Sequence, residues 1–169
     1  MNEKFRRLNQ DLMSEKIGSS EFLEKLRTIG DFRDDLLDVL RARYNEHDWR
    51  NLSRMIWAVS LVPDRKFTPL LCELMNNHPY DGYMEAIADS LLEIKDENSV
   101  SCIRRSLNYH VYGDDGRHFN RTLINALYRI ATREAVEAIK EARSSPDELI
   151  REHAEDFLTR LRTDLHNVE

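Results

Sequence analysis

The chain has 169 residues, a length that suits one domain. Its five glycines and four prolines are too few for a sheet protein with many tight turns, which favours helices. The net charge of −6 argues against a nucleic-acid binder, because such proteins need a basic stripe to neutralise phosphates.

The apolar segments are short, and no stretch approaches about 18 uninterrupted apolar residues. The N-terminus also lacks the apolar segment of a signal peptide, so we expect a cytoplasmic protein with no membrane contact. Cys72 and Cys102 each lie in a helical apolar pattern, outside any CxxC or Cys/His cluster. We therefore predict two buried free thiols in a reducing compartment.

Apolar residues recur with a helical period along nearly the whole chain. Residues 1–46 read as helices without a clear repeat, and we predict that they form an N-terminal cap. From residue 47 onward, helix pairs recur at a spacing of roughly 31 to 36 residues, which is typical of helical repeats. Capping-type residues stand at the short connections, namely Asp64, Asp96 and Thr132.

Aligning these pairs predicts equivalent core positions. The aligned sets on the first helices are Thr68, Val100 and Val136, and Leu71, Ile103 and Ile139. On the second helices they are Ser90, Ala126 and Phe157, and Leu91, Leu127 and Leu158.

The segment "INALYRIATREAVEAIKEARSSPDELIREHAEDFLTRL" resembles a HEAT-like repeat of the short, phycobilisome-lyase type. The residues that carry this resemblance are Ala135, Val136, Ile139, Asp147, Leu149, Ile150, Arg151, Ala154 and Leu158. Weaker copies extend the resemblance over residues 50–163. It implies an all-α fold, a short right-handed α-solenoid of antiparallel helix pairs. We expect one domain over 1–169, with capping helices at 1–46, HEAT-like repeats at 47–163 and a C-terminal tail at 164–169.

The stretch "NYHVYGDDGRHFNRT" combines residue types that can bind metals, including His110, Asp114, Asp115 and His118. Their spacing matches no recognised ligand motif. We predict a bend between two helices, with Asp114 or Asp115 as the N-cap of the second helix.

Three carboxylates recur every four residues at Glu85, Asp89 and Glu93, which places them in a line on one helix face. One interpretation is an acidic surface for a basic partner. The alternative is a solvated face whose charge Arg121 and Arg160 balance. Tyrosines near the turns are either interface anchors or loop packing. The predicted partner-binding residues are Glu85, Asp89, Glu93, Arg121, Asn125, Glu152, Asp156, Tyr83 and Tyr112.

The sequence shows no GxGxxG, P-loop, GxSxG or HExxH motif, so we predict a non-catalytic protein without a cofactor or a bound metal. Its size, its charge and the line of carboxylates make it similar to bacterial immunity proteins that neutralise a toxin. We expect another protein as partner, with a basic nuclease domain of a toxin as the leading hypothesis. The alternatives are a scaffold or adaptor with HEAT-like repeats, and a lyase-like enzyme of the same repeat class. No sequence feature indicates an oligomeric state.

Overall fold

The computed structural model describes residues 2–77, 81–115 and 117–166, with side chains up to residue 163. Within these ranges the chain forms α-helices and short 3₁₀ turns and contains no strand. The predicted all-α class is confirmed. None of the described helices combines the length and the apolar composition that a membrane crossing requires.

Ten α-helices are present in the described ranges. They are α1 Glu3–Met13, α2 Ser19–Leu26, α3 Arg33–Asn45, α4 Trp49–Ile56, α5 Thr68–Asn77, α6 Met84–Ile94, α7 Val100–Ser106, α8 His118–Ile130, α9 Arg133–Ala142 and α10 Glu148–His166. The 3₁₀ turns are Trp57–Leu61, Arg65–Phe67, Asp81–Tyr83 and Glu97–Ser99.

The chain divides into two compact units, Met1–Phe67 and Thr68–Glu169. The first unit contains α1 to α4, and its core includes the stacked rings of Phe5 and Phe32, whose centroids lie 5.5 Å apart. Its boundary with the second unit falls about 20 residues after the end of the predicted N-terminal cap.

The second unit contains α5 to α10. Helix α6 packs against α5 and α8, and α8 packs against α10. Helix α7 packs against α5 and α9. The helices α5, α7 and α9 therefore lie side by side in the order of the chain, and so do α6, α8 and α10. Of the aligned core positions, Val136 is only half-buried. The others are buried, at Thr68, Val100, Leu71, Ile103, Ile139, Ser90, Ala126, Phe157, Leu91, Leu127 and Leu158.

The side chains of the predicted capping residues at the short connections accept hydrogen bonds from backbone amides two or three residues further along the chain. Asp64 Oδ1 accepts from the Lys66 amide at 3.0 Å, and Asp96 Oδ1 accepts from the Asn98 amide at 3.1 Å. Thr132 Oγ1 accepts from the amide of Ala135 at 3.2 Å. Each cap satisfies an amide that the first turn of a helix leaves without a helical partner, so the turns begin at these residues.

The prediction of two free thiols is wrong, because a disulfide joins Cys72 to Cys102. Cys72 lies on α5 and Cys102 on α7, two neighbouring helices, and their Cα atoms are 5.5 Å apart. The aligned register places both on first helices of adjacent pairs, but spacing in the sequence does not fix the distance between two helices. Disulfides are rare in reducing compartments, so the argument from free thiols no longer supports a cytoplasmic location.

We expect the double variant Cys72→Ala, Cys102→Ala to lose about 3–4 kcal/mol of unfolding free energy, because a cross-link over 30 residues restricts the unfolded chain. Urea denaturation followed by circular dichroism measures this loss. Reduction with dithiothreitol should lower the urea midpoint of the wild type to nearly that of the variant. Two alkylated cysteines in unreduced protein, together with equal urea midpoints, would contradict the disulfide.

Candidate partner-binding surface

Helix α6 is enclosed by its neighbours on most of its circumference. The side chains of Met84, Ala86, Ile87, Ala88, Ser90 and Leu91 are all buried. The Ser90 hydroxyl donates to the carbonyl of Ala86 at 2.7 Å, so it needs no partner from a neighbouring helix. The neighbours therefore leave only a narrow part of α6 open to solvent.

The open part of α6 carries the predicted line of carboxylates, Glu85, Asp89 and Glu93, which we call the α6 stripe. Glu85 and Glu93 are exposed and Asp89 is half-buried. No Lys, Arg or His among the described residues pairs with any of the three. Burial raises the pKa of Asp89, and the charges of Glu85 and Glu93 raise it further. The α6 stripe is thus a concentrated negative charge that no cation in the described part of the chain balances.

The neighbouring even-numbered helices do not neutralise the α6 stripe. Arg121 on α8 is exposed and makes no ion pair in the described part of the chain, and Asn125 beside it is half-buried. Arg160 on α10 pairs with Asp156 on its own helix at 2.7 Å. The guanidinium of Arg160 also lies 5.0 Å from the ring centroid of Phe157. The interpretation that Arg121 and Arg160 balance the α6 carboxylates therefore finds no support in these contacts.

Glu152 is exposed on α10 and makes no ion pair among the described residues. In this respect it differs from Asp156, which pairs with Arg160, although both are predicted partner-binding residues. The structure supports a contiguous acidic line on α6 and a mixed surface on α8 and α10.

The stretch 108–122 forms the predicted bend, since α7 ends at Ser106 and α8 begins at His118. The N-cap residue of α8 is Arg117, so the prediction of Asp114 or Asp115 at this position is wrong. The side chain of Asp114 still holds the helix start, because its two carboxylate oxygens accept from the amides of His118 and Phe119 at 2.8 and 2.9 Å. Asp115 is exposed and takes no part in these hydrogen bonds. His110 and His118 are exposed as well, and no group of three metal-binding side chains occurs among the residues that the structure describes.

Several side chains from outside the bend hold its backbone in place. Asp81 accepts from the Tyr109 hydroxyl at 2.5 Å and from the amide of Tyr112 at 3.2 Å. The amide nitrogen of Asn120, which is fully buried, donates to the carbonyls of Leu107 and Tyr109 at 2.8 and 2.9 Å. Partial burial and the bond to Asp81 raise the pKa of Tyr109 to about 12, so it keeps its proton at neutral pH.

Arg117 ties the start of α8 to the start of α10. Its Nε lies 2.7 Å from a carboxylate oxygen of Asp147, and its terminal nitrogen donates to the carbonyl of Asp114 at 2.8 Å. The hydrogen bond from Arg117 lowers the pKa of Asp147, whose other oxygen accepts from the amide of Leu149 at 3.0 Å. Asp147 is thus both a helix cap and half of an ion pair.

The two predicted tyrosine anchors have opposite environments. Tyr83 is fully buried, so the prediction that it contacts a partner is corrected: its ring belongs to the core, at the start of α6. Tyr112 is 92% exposed at the tip of the bend. Because Asp81 holds the Tyr112 backbone and lies four residues before Glu85, Tyr112 stands near the N-terminal end of the α6 stripe.

Sequence reasoning missed Asp81 and Asn120, the two residues that fix the bend. Tyr109 and Tyr112 follow Asp81 by 28 and 31 residues, and no local pattern indicates such distant pairs. Asn120 falls on the apolar face of α8, and a polar residue at a core position was the one signal that could have marked it.

No family model matches the chain, and no curated protein or solved structure matches it either. The HEAT-like resemblance and the similarity to immunity proteins therefore stay predictions from the sequence.

We expect Asp89→Asn to raise the free energy of unfolding at neutral pH. The fold raises the pKa of Asp89, so the ionised carboxylate destabilises the folded state above that pKa. This penalty disappears as the pH falls towards the ordinary value of 3.8, where both states bind the proton. Urea denaturation at neutral and acidic pH tests whether Asp89→Asn raises the free energy of unfolding only at the higher pH.

Asp156→Asn is the matched control, because Asp156 pairs with Arg160 on its own helix. Removing that carboxylate should leave stability unchanged or lower it slightly. A loss of stability on Asp89→Asn at neutral pH would show that Asp89 has a stabilising partner.

Proposed function

We propose that the chain is a non-catalytic protein-binding module, and specifically an immunity protein that binds and neutralises a bacterial toxin. The observation that carries the proposal is the α6 stripe, three carboxylates that no cation among residues 2–77, 81–115 and 117–163 balances, on a helix that is otherwise enclosed. Each pair of like charges four residues apart on a helix lowers the stability of the helix by roughly a few tenths of a kcal/mol. A basic partner would remove this repulsion on binding, so the arrangement suits a basic protein surface such as that of a nuclease.

The distribution of charge supports the same surface. Residues 68–169 hold 19 of the 31 Asp and Glu but 12 of the 25 Lys and Arg, a net charge of −7. Residues 1–67 hold 12 acidic and 13 basic residues, a net charge of +1. The negative field therefore originates in the unit that carries the α6 stripe, where it would steer a basic partner and raise its association rate.

Tyr112 gives the surface an anchor of the kind that dominates protein interfaces. An exposed tyrosine buries a large area at low cost in side-chain entropy. Its backbone is already fixed through Asp81, so binding would order little further chain. We place the partner on the α6 stripe with Tyr112 at one end.

For the second unit we propose the finer arrangement that the HEAT-like resemblance implies, a short right-handed superhelix of antiparallel helix pairs. The neighbour relations of the odd-numbered and of the even-numbered helices support it, because a solenoid stacks equivalent helices side by side. In such an arrangement α6, α8 and α10 line one face together.

The test is co-expression with the product of the neighbouring open reading frame, followed by size-exclusion chromatography and titration. We expect a complex whose affinity falls with salt, and we expect the triple variant Glu85→Lys, Asp89→Lys, Glu93→Lys to bind at least about tenfold more weakly, because repulsion slows association and favours dissociation.

The matched control reverses three exposed carboxylates elsewhere in the same unit, Glu97, Glu134 and Glu137. It changes the net charge equally but leaves the α6 stripe intact, so its affinity should stay close to that of the wild type. Equal losses of affinity in both triple variants would show that binding depends on the net charge of the protein and not on the α6 stripe. An unchanged affinity in the α6 variant would refute the proposed surface.

A further inference from the structure

The disulfide between α5 and α7 joins two sulfur atoms with different surroundings. Cys102 is 2% exposed, whereas Cys72 is half-buried. A disulfide opens when a thiolate attacks one of its two sulfurs, and access is one of the factors that decide which sulfur is attacked. The difference in burial therefore favours attack on Cys72.

Cys72 borders the open side of α5. Pro69, one turn before it, is exposed, Asn76, one turn after it, is half-buried, and the adjacent Glu73 is exposed. The buried residues of α5 are Thr68, Leu70, Leu71, Leu74 and Met75. Because residues three and four apart share a helix face, Cys72 lies at the edge of the face that solvent reaches.

Cys102 lies on the covered side of α7. Ser99 and Ser106, one turn before and one turn after it, are buried, and so is the adjacent Ile103. The Sγ atom of Cys102 lies 3.2 Å from the carbonyl oxygen of Ser99. Since a thiol is a weak hydrogen-bond donor, a reduced Cys102 has an acceptor for its proton without contact with water. These surroundings suit Cys102 as the sulfur that leaves when the disulfide opens.

A small thiol attached to the protein also fits the two positions unequally. On Cys72 it would extend from the edge of the open face of α5, so its polar groups would keep their contact with water. On Cys102 it would place the same groups among Ser99, Ile103 and Ser106, where polar groups without partners destabilise the fold. Access and the stability of the product therefore favour the same sulfur.

We propose that Cys72 is a site of reversible S-thiolation by a small thiol of the glutathione class, with Cys102 as the leaving and resolving sulfur. The thiolate attacks Sγ of Cys72, a new S–S bond forms there, and the bond to Cys102 breaks. The electron pair stays on Sγ of Cys102, which takes up a proton from water and shares it with the carbonyl of Ser99. In the reverse step the thiolate of Cys102 attacks Cys72 and expels the small thiol. This site is independent of the α6 stripe.

The first test compares Cys102→Ser with Cys72→Ser, a matched pair in which each variant lacks the disulfide and keeps one thiol. Both react with glutathione disulfide, and intact-mass spectrometry follows the adduct. In native buffer we expect Cys102→Ser, which keeps the thiol of Cys72, to react at least about tenfold faster. In urea the two rates should become similar, because the chain no longer covers either sulfur. Equal native rates, or a faster reaction at Cys102, would overturn the proposal.

The second test uses the wild-type chain and needs no substitution. The oxidised protein is treated with reduced glutathione, and the reaction is stopped early with N-ethylmaleimide in urea. Trypsin then separates the two cysteines into peptides 67–95 and 96–104. We expect glutathione on Cys72 and N-ethylmaleimide on Cys102. Glutathione on Cys102, or a native disulfide that resists a glutathione concentration that opens it in urea, would contradict the proposed site.

Discussion

The close packing of α6 against α5 and α8 determines what the second unit shows to its surroundings. The small side chains of Ala86, Ala88 and Ser90 and the large ones of Met84, Ile87 and Leu91 are all buried between α6 and its neighbours. Burial of these apolar side chains holds the helix in place, at about 1.5–3 kcal/mol for each large one. Since most of the helix is covered, the few remaining positions define its surface, and the three most polar of them are carboxylates.

The bend between α7 and α8 depends on the same packing. Asp81 immediately precedes α6, and from there it holds the hydroxyl of Tyr109 and the backbone of Tyr112. The bend, which contains His110, Asp114 and Asp115, is thereby joined to the start of α6 by two hydrogen bonds and presents one exposed aromatic ring. The α6 stripe and Tyr112 are consequently fixed relative to each other, as an interface that binds without reorganisation requires.

The parts of this fold that could be predicted are those that local patterns specify. The helical period, the caps Asp64, Asp96 and Thr132, and the buried leucines at 91, 127 and 158 follow from periodicity and from the hydrogen bonds that a helix start needs. The burial of Tyr83, the pairing of Cys72 with Cys102 and the bonds of Asp81 depend on distances between helices, which periodicity does not encode. The sequence predicts that the three carboxylates of the α6 stripe align on one helix face. Whether a cation lies opposite them depends on the packing between helices, and none does among the described residues.

Helix α6 presents three carboxylates that no described cation balances, on a helix that its neighbours otherwise cover. A carbon-detected NMR titration of the side-chain carboxyl groups across acidic pH tests this charge imbalance. We expect Asp89 to titrate above its ordinary pKa of 3.8 and its signal to respond also to the ionisation of Glu85 and Glu93. A pKa for Asp89 at or below 3.8 would mean that a cation or a hydrogen-bond donor already satisfies the carboxylate, and would contradict the account.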